Sequence, residues 1–538
     1  MIKTSMVVAA QPDAAEIGIE TLRAGGNAVD AAIATAIAQG VCDPMMCGVS
    51  GYGTMVIHLH GQGEQVCVDF HSRAPGAVTP TMWEHLLEFQ SPDGFGFNLT
   101  GNINELGYKA IGVPAAVRGY ELAHARYGRM PWSEVIQPSI DLARRGWAIC
   151  PTVYRYWNEP AAKEGLLEVI TRLGFSEEGR RLYFRPNGAT KQIGETIVNE
   201  NLAVVLETIA RDGADSFYIG DIAKAMIADI AANEGLLTLD DLATYTARVS
   251  TPARGRYRGF DVVSSPSPAS GVMLAQMLMA LESYDLVGLG HNTPDYIRLV
   301  SEVMKRSTVD KEALIGDPAL LPDPAAVMLD PTRLALWREQ IDRGEKQKIT
   351  RAGKVHEPSD TTTLAVVDAD SNCVALTQTL ALPSGVVSNG LGFIHNGTMA
   401  AFDPRPGYPG SMTPGRVRIS SMCPSVVLQD GQPRIVLGAP GGPQIPMGVL
   451  QTILNILDFG MPVDTAVAAP RFSATSNTID LSRRIPHSTA LKLSEQGYAS
   501  QHNPYAYAFS AVHALELTRV GGVTGGADPG RDGVAYGF

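Results

Sequence analysis

Cysteine is scarce in this 538-residue chain, and the six present (Cys42, Cys47, Cys67, Cys150, Cys373 and Cys423) nowhere approach a C-x-x-C spacing. That scatter supports neither a disulfide framework nor a zinc ribbon. The eleven histidines include no HExxH pair, and His58 and His60 simply alternate in the strand-like "MVIHLHG", so no metal centre is expected. No apolar run approaches the ~18 residues that a membrane helix needs. No run of Lys and Arg appears either. With a formal charge of −12, a nucleic-acid partner, whose phosphates need a basic face, is not expected. The stretch "MIKTSMVVAAQPD" is interrupted by Gln11, Pro12 and Asp13 before it reaches signal-peptide length, which predicts a cytoplasmic protein.

What remains is an ordinary globular composition, 45% hydrophobic and 18% charged, long enough for roughly three domains or one large layered α/β unit. Residues 14–39 read as two Ala-rich helices joined at Gly25-Gly26, with Asn27 capping the second. "TMVIHLH" and "EQVCVDF", separated by Gly61-Gln62-Gly63, read as a hairpin. Period-3.6 patterns dominate residues 112–250. Residues 254–271 revert to strand and turn, and Pro294 opens a long helix. Residues 315–358, rich in Pro, Gly and charge, read as a linker or surface excursion. From Thr361 onward short β-branched runs follow one another: "TTLAVVDA", "CVALTQTL", "SVVLQD" and "RIVLGAP".

Three threonines, Thr361 to Thr363, stand where the linker meets this strand-rich block. Threonine favours strands, so the run can be no more than a strand edge. A threonine hydroxyl becomes a nucleophile when a base lies beside it, and its own α-amine can be that base once the preceding peptide bond is cut. The Asp360-Thr361 bond lies where such a cut would leave a threonine at a strand's leading end. Acyl transfer also needs backbone N–H groups aimed at a developing oxyanion. Gly441-Gly442, between a strand and a helix, can supply them or can be only a tight turn.

Taken together, "GGNAVDAAIA", "GVPAAVRGYELAHARYGRMPW", "GADSFYIGDIA", "LLTLDDLATY", "TTTLAVVDADSN", "ISSMCPSVV", "LGAPGGPQI" and "GGADPGRDG" resemble the γ-glutamyltransferase family along essentially the whole chain. The resemblance implies an N-terminal-nucleophile hydrolase with a four-layer αββα sandwich, self-cleaved into a large subunit, 1–360, and a small one, 361–538. The two would intertwine as a heterodimer, with higher oligomers open. It implies Thr361 as nucleophile, Thr379 as support for its hydroxyl, Gly441 and Gly442 as the oxyanion hole, Ser420 and Ser421 as contacts to a substrate carboxylate, and no cofactor. Thr362 and Thr363 would be strand residues, Thr363 replacing a histidine common in the family.

Four departures bear on substrate. The family's carboxylate-binding arginine falls at His71 in "DFHSRAP", with Arg73 displaced by two positions. Ala401 stands where an aspartate would hold an α-amino group, and Ala381 replaces an asparagine. The segment between Pro406-Gly407 and Ile419 is short, which implies a reduced lid. A buried ammonium without its carboxylate partner costs a few kcal/mol. The expected substrate is therefore a carboxylate-bearing amide lacking the α-amino group, with oxamate-hydrolysing and acylase-type relatives as precedents. Arg73 and Ser420-Ser421 are candidate carboxylate contacts, and His71 a further candidate. Two readings remain beside it: γ-glutamyl transfer or glutathione hydrolysis in an altered pocket, and an uncleaved, non-catalytic homologue acting as a binding or structural protein.

Overall fold

A computed structural model describes residues 3–90, 96–160, 167–349, 361–518 and 521–538. Its strands of interest are β1 (Met6–Ala9), β2 (Tyr52–Leu59), β3 (Glu64–Phe70), β4 (Arg248–Ser250), β5 (Ala253–Tyr257), β6 (Phe260–Ser264) and β7 (Thr361–Val367). They continue with β8 (Cys373–Thr379), β9 (Ser425–Gln429), β10 (Gln432–Gly438), β11 (His513–Leu517), β12 (Val523–Ala527) and β13 (Val534–Gly537). Two antiparallel sheets result, ordered β13-β1-β7-β8-β2-β3-β4 and β12-β11-β10-β9-β6-β5.

The sheets stack face to face. Their shared layer is lined by small and β-branched side chains, among them Val8, Val56, Ala365, Val367, Ala375, Val426, Val436 and Leu515. Sheets that pack about 10 Å apart have room for little else. At Gly438 of β10 the approach is tighter still: a β-carbon there would lie 2.3 Å from Thr363 Oγ1.

Helices cover both outer faces, giving the expected αββα order. On one side α1 (Pro12–Arg23) and α2 (Ala28–Cys42) pack on β1, β7 and β8. Asn27 caps α2 as expected, its side chain accepting from the N–H groups of Val29 and Asp30. On the other side lie α3 (Gly271–Leu281) and, behind it, α4 (Pro294–Leu314), together with α6 (Ile445–Leu457). Because both faces of the central strands are covered, β7 and β8 are buried at every residue.

Residues 315–349 depart from the linker expectation. Asp330 accepts from the N–H groups of Thr332 and Arg333 and, with Pro331 in the first turn, starts α5 (Pro331–Asp342), which buries Leu334, Trp337 and Ile341. Among the described residues no helix is long and apolar enough to cross a membrane, and no cluster of three His, Cys, Asp or Glu could hold a metal.

Candidate active site

The register of β7 and β8 is set by the turn that joins them. Asp368 Oδ1 accepts from the N–H groups of Asp370 (3.0 Å) and Asn372 (2.9 Å), while Oδ2 accepts from Ala28 N at the start of α2 (3.0 Å). Seven residues back from this turn, Thr361 lies opposite Thr379, which in turn lies opposite Tyr52 of β2. Residues directly opposite share a face, so a one-residue slip would turn the Thr361 hydroxyl to the wrong side of the sheet. The Thr361 hydroxyl donates to Thr379 Oγ1 (3.3 Å), which also accepts from the N–H of Ala381 (2.9 Å). Ala381 is held at φ 59° there. The other two threonines are engaged elsewhere. Gln39 of α2 donates to Thr362 Oγ1 (3.0 Å), and Thr363 Oγ1 donates to Leu376 O (2.8 Å).

Thr361 and Thr379 open on a cavity of about 750 Å³, whose wall also includes Ser420, Ser421, Gly442 and Ala401. Gly441 and Gly442 form the turn from β10 into α6, with φ 132° and 53°, conformations that a side chain would strain. Gly441 itself is not part of the cavity wall. Ser420 is fixed by its backbone: its N–H donates to Pro268 O (2.9 Å) and its carbonyl accepts from Ser270 Oγ (2.8 Å). Ser421 Oγ accepts from Lys311 Nζ, a side chain of α4 that also faces the cavity.

Neither Arg73 nor His71 belongs to the cavity wall. Arg73 turns outward, its guanidinium 5.0 Å over the Tyr245 ring and bonded to Thr246 O at 3.3 Å. His71 is buried, with Nδ1 2.6 Å from Asp69 Oδ1. Burial alone would raise the Asp69 carboxyl, but His71 and Arg248 outweigh it and bring the pKa down to about 2. Asp360 lies outside the described residues.

The cations on the cavity wall are Lys311, Arg405 and Arg418, all of which sequence reasoning passed over. Arg418 N donates to Ser72 O (3.1 Å), and Val417 pairs with Arg73. Alternation along this short ladder sends Arg73 one way and Arg418 the other. The Arg418 guanidinium lies 5.5 Å over the Tyr52 ring, and Tyr52 in turn lies 6.1 Å from the His71 ring. Arginine is thus supplied from the segment hydrogen-bonded alongside residue 72. The signal available was only "GRVRISSM", where Arg418 precedes the serine pair by two residues.

The rest of the wall mixes apolar side chains, Phe97, Met273, Tyr408, Ile419 and Ile445, with Gln90, Thr308, Thr475 and the carboxylates Glu312 and Asp403. The short segment after Gly407 still contributes to the rim. Arg405, paired to Asp403 at 2.7 Å, lies 4.6 Å over the Tyr408 ring and 5.6 Å over Phe97.

The profile of the gamma-glutamyltranspeptidase family matches residues 14–538. The chain belongs to that family. It is 34% identical over 525 residues to the acylase ACY 1 proenzyme of Pseudomonas sp. strain SE83, covering 97% of this chain and 91% of that one. To the glutathione hydrolase proenzyme of Escherichia coli K12 it is 33% identical over 487 residues, 87% of this chain and 81% of the other. The crystal structure of the cephalosporin acylase from Bacillus halodurans superimposes with a TM-score of 0.86 at 26% identity, covering 99% and 96% of the two chains. As a member of the family, the chain is an enzyme of the N-terminal-nucleophile type, and its αββα layers are the fold of that class.

Proposed function

We propose that the protein cuts itself at Asp360-Thr361 and then hydrolyses amides of small acyl groups that carry a carboxylate and no α-amino group. The observation that carries this is the composition of one cavity: the Thr361 hydroxyl opens on a wall that holds Ser420, Ser421, Arg418 and Lys311, with Ala401 on the same wall. Further support comes from the acylase relative, which aligns over nearly all of the chain.

In the first step Thr361 Oγ attacks the Asp360 carbonyl. The C–N bond breaks, an ester replaces the amide, and water releases the Asp360 carboxylate together with the free Thr361 α-amine. That amine then takes the Oγ proton as Oγ attacks the substrate amide. The Gly441 and Gly442 N–H groups receive the oxyanion, the amine product leaves with the proton, and water resolves the threonyl ester. Thr379, whose Oγ1 accepts from both Thr361 and Ala381, holds the nucleophile's rotamer. Arg418, Lys311 and the serine pair receive the acyl carboxylate.

Glutaryl p-nitroanilide and γ-glutamyl p-nitroanilide differ by one ammonium group, so their kcat/KM ratio tests the reading directly. The glutaryl compound should be favoured at least tenfold. A preference for the γ-glutamyl compound would overturn the role given to Ala401 and restore the reading of γ-glutamyl transfer or glutathione hydrolysis.

A further inference from the structure

Behind the Gly441-Gly442 turn lie two residues in an unfavourable conformation. Phe509 and Ser510 are successive non-glycine residues with φ 66° and 55°, both buried. Two such residues in a row persist only where the surroundings hold them. What holds them is Arg471, itself 3% exposed, whose Nε donates to Phe509 O (2.9 Å) and whose other end pairs with Asp528. Asp528 is fixed in turn: its N–H donates to His513 Nδ1 (3.2 Å), and its carbonyl accepts from Arg531 N (3.1 Å).

Ser510 fits a notch that two glycines leave open. A β-carbon at Gly441 would lie 2.7 Å from Ser510 Oγ and 2.9 Å from its Cα; one at Gly448, in the first turns of α6, would lie 2.5 Å from Ser510 Cβ. The hydroxyl itself is buried and makes no hydrogen bond among the described residues. The serine is therefore not kept in place by its polar group. Its left-handed backbone fills the space behind Gly441, and its β-carbon fills the space against Gly448.

We infer that Ser510 is a positioning residue for the oxyanion-binding turn, its backbone set against Gly441 and its β-carbon against Gly448 where α6 leaves the turn, so that together they fix where the Gly441 and Gly442 N–H groups point. This rests on the acyl-transfer mechanism above. Donors aimed at the transition state lower the barrier without improving ground-state binding, so disturbing them moves kcat rather than KM.

Two variants of the full-length, self-cleaved enzyme separate this from a merely structural role. Ser510→Ala keeps the β-carbon, so its kcat should stay within threefold of wild type. Ser510→Gly removes the β-carbon and relieves the left-handed backbone. It should cleave itself and keep its Tm at or above wild type, yet lose at least tenfold in kcat with KM within twofold. Both are assayed on whichever of glutaryl and γ-glutamyl p-nitroanilide the wild type turns over faster, so the outcome does not depend on acyl preference. The inference is overturned if Ser510→Gly retains kcat within threefold, if its Tm falls or it fails to fold, or if Ser510→Ala loses activity as the glycine variant does. A wild-type enzyme inactive on both anilides would instead contradict the acyl-transfer reading itself.

Discussion

Replacing Arg418 by methionine removes a guanidinium from the cavity while keeping a flexible apolar side chain against Tyr52. Arg418 is only 5% exposed, so a carboxylate that reaches it meets little competing water. A hydrogen bond to a charged group in such a setting contributes about 1.5–3 kcal/mol, and at 1.4 kcal/mol per factor of ten that is about a 10- to 150-fold loss. The loss should fall on substrates with an acyl carboxylate alone. Glutaryl p-nitroanilide and valeryl p-nitroanilide have the same chain length, and only the first carries the charge. For Arg418→Met, kcat/KM should drop by that factor on the glutaryl compound and by less than threefold on the valeryl one. An equal loss on both would show that Arg418 acts through the fold, and no loss on either would place the carboxylate elsewhere.

Two predictions concern the scaffold. His395 is buried between Ser50 Oγ (3.1 Å) and Ser388 Oγ (3.0 Å), and burial lowers its pKa to about 3. A base depressed in the folded state leaves the unfolded chain to take up the proton first, so its contribution is complete above about pH 6.5 and lost as pH falls toward 3. At pH 4.5 that is about 3 kcal/mol from this residue. Urea unfolding should show a shallower pH dependence between 6.5 and 4.5 for His395→Gln; an unchanged slope would contradict the assignment. Gly438→Ala should cost about 1–3 kcal/mol by forcing the sheets apart at Thr363, and adding Thr363→Ala should recover most of it in the same assay. Additive losses in the double variant would mean that the two positions do not meet.

Much of the layout was legible because local signals and burial agree. Asn27 caps where its side chain can reach two N–H groups, and the β-branched runs after Thr361 became central strands because both faces found cover. Residues 331–342 show the reverse case: Asp330 and Pro331 are good start signals, but weak periodicity hid a helix that buries only Leu334, Trp337 and Ile341. The cationic end of the cavity was the least legible part. Its wall is assembled from α4, from the segment around Arg418 and from the start of β7, which meet only in the fold. A two-residue difference in the "DFHSRAP" motif pointed to Arg73, yet the alternation of two paired segments sends that side chain out to Tyr245 and brings Arg418 in. No local pattern in "GRVRISSM" distinguishes the two.

The most direct measurement is the mass of the purified protein under denaturing conditions, with and without Thr361→Ala. Self-cleavage should convert the 538-residue chain into fragments of 360 and 178 residues, the smaller beginning with an unblocked Thr361, whereas Thr361→Ala should remain one chain. A wild-type protein that stays at full length, or a Thr361→Ala variant that is cut at the same bond, would contradict the assignment of Thr361 as the nucleophile.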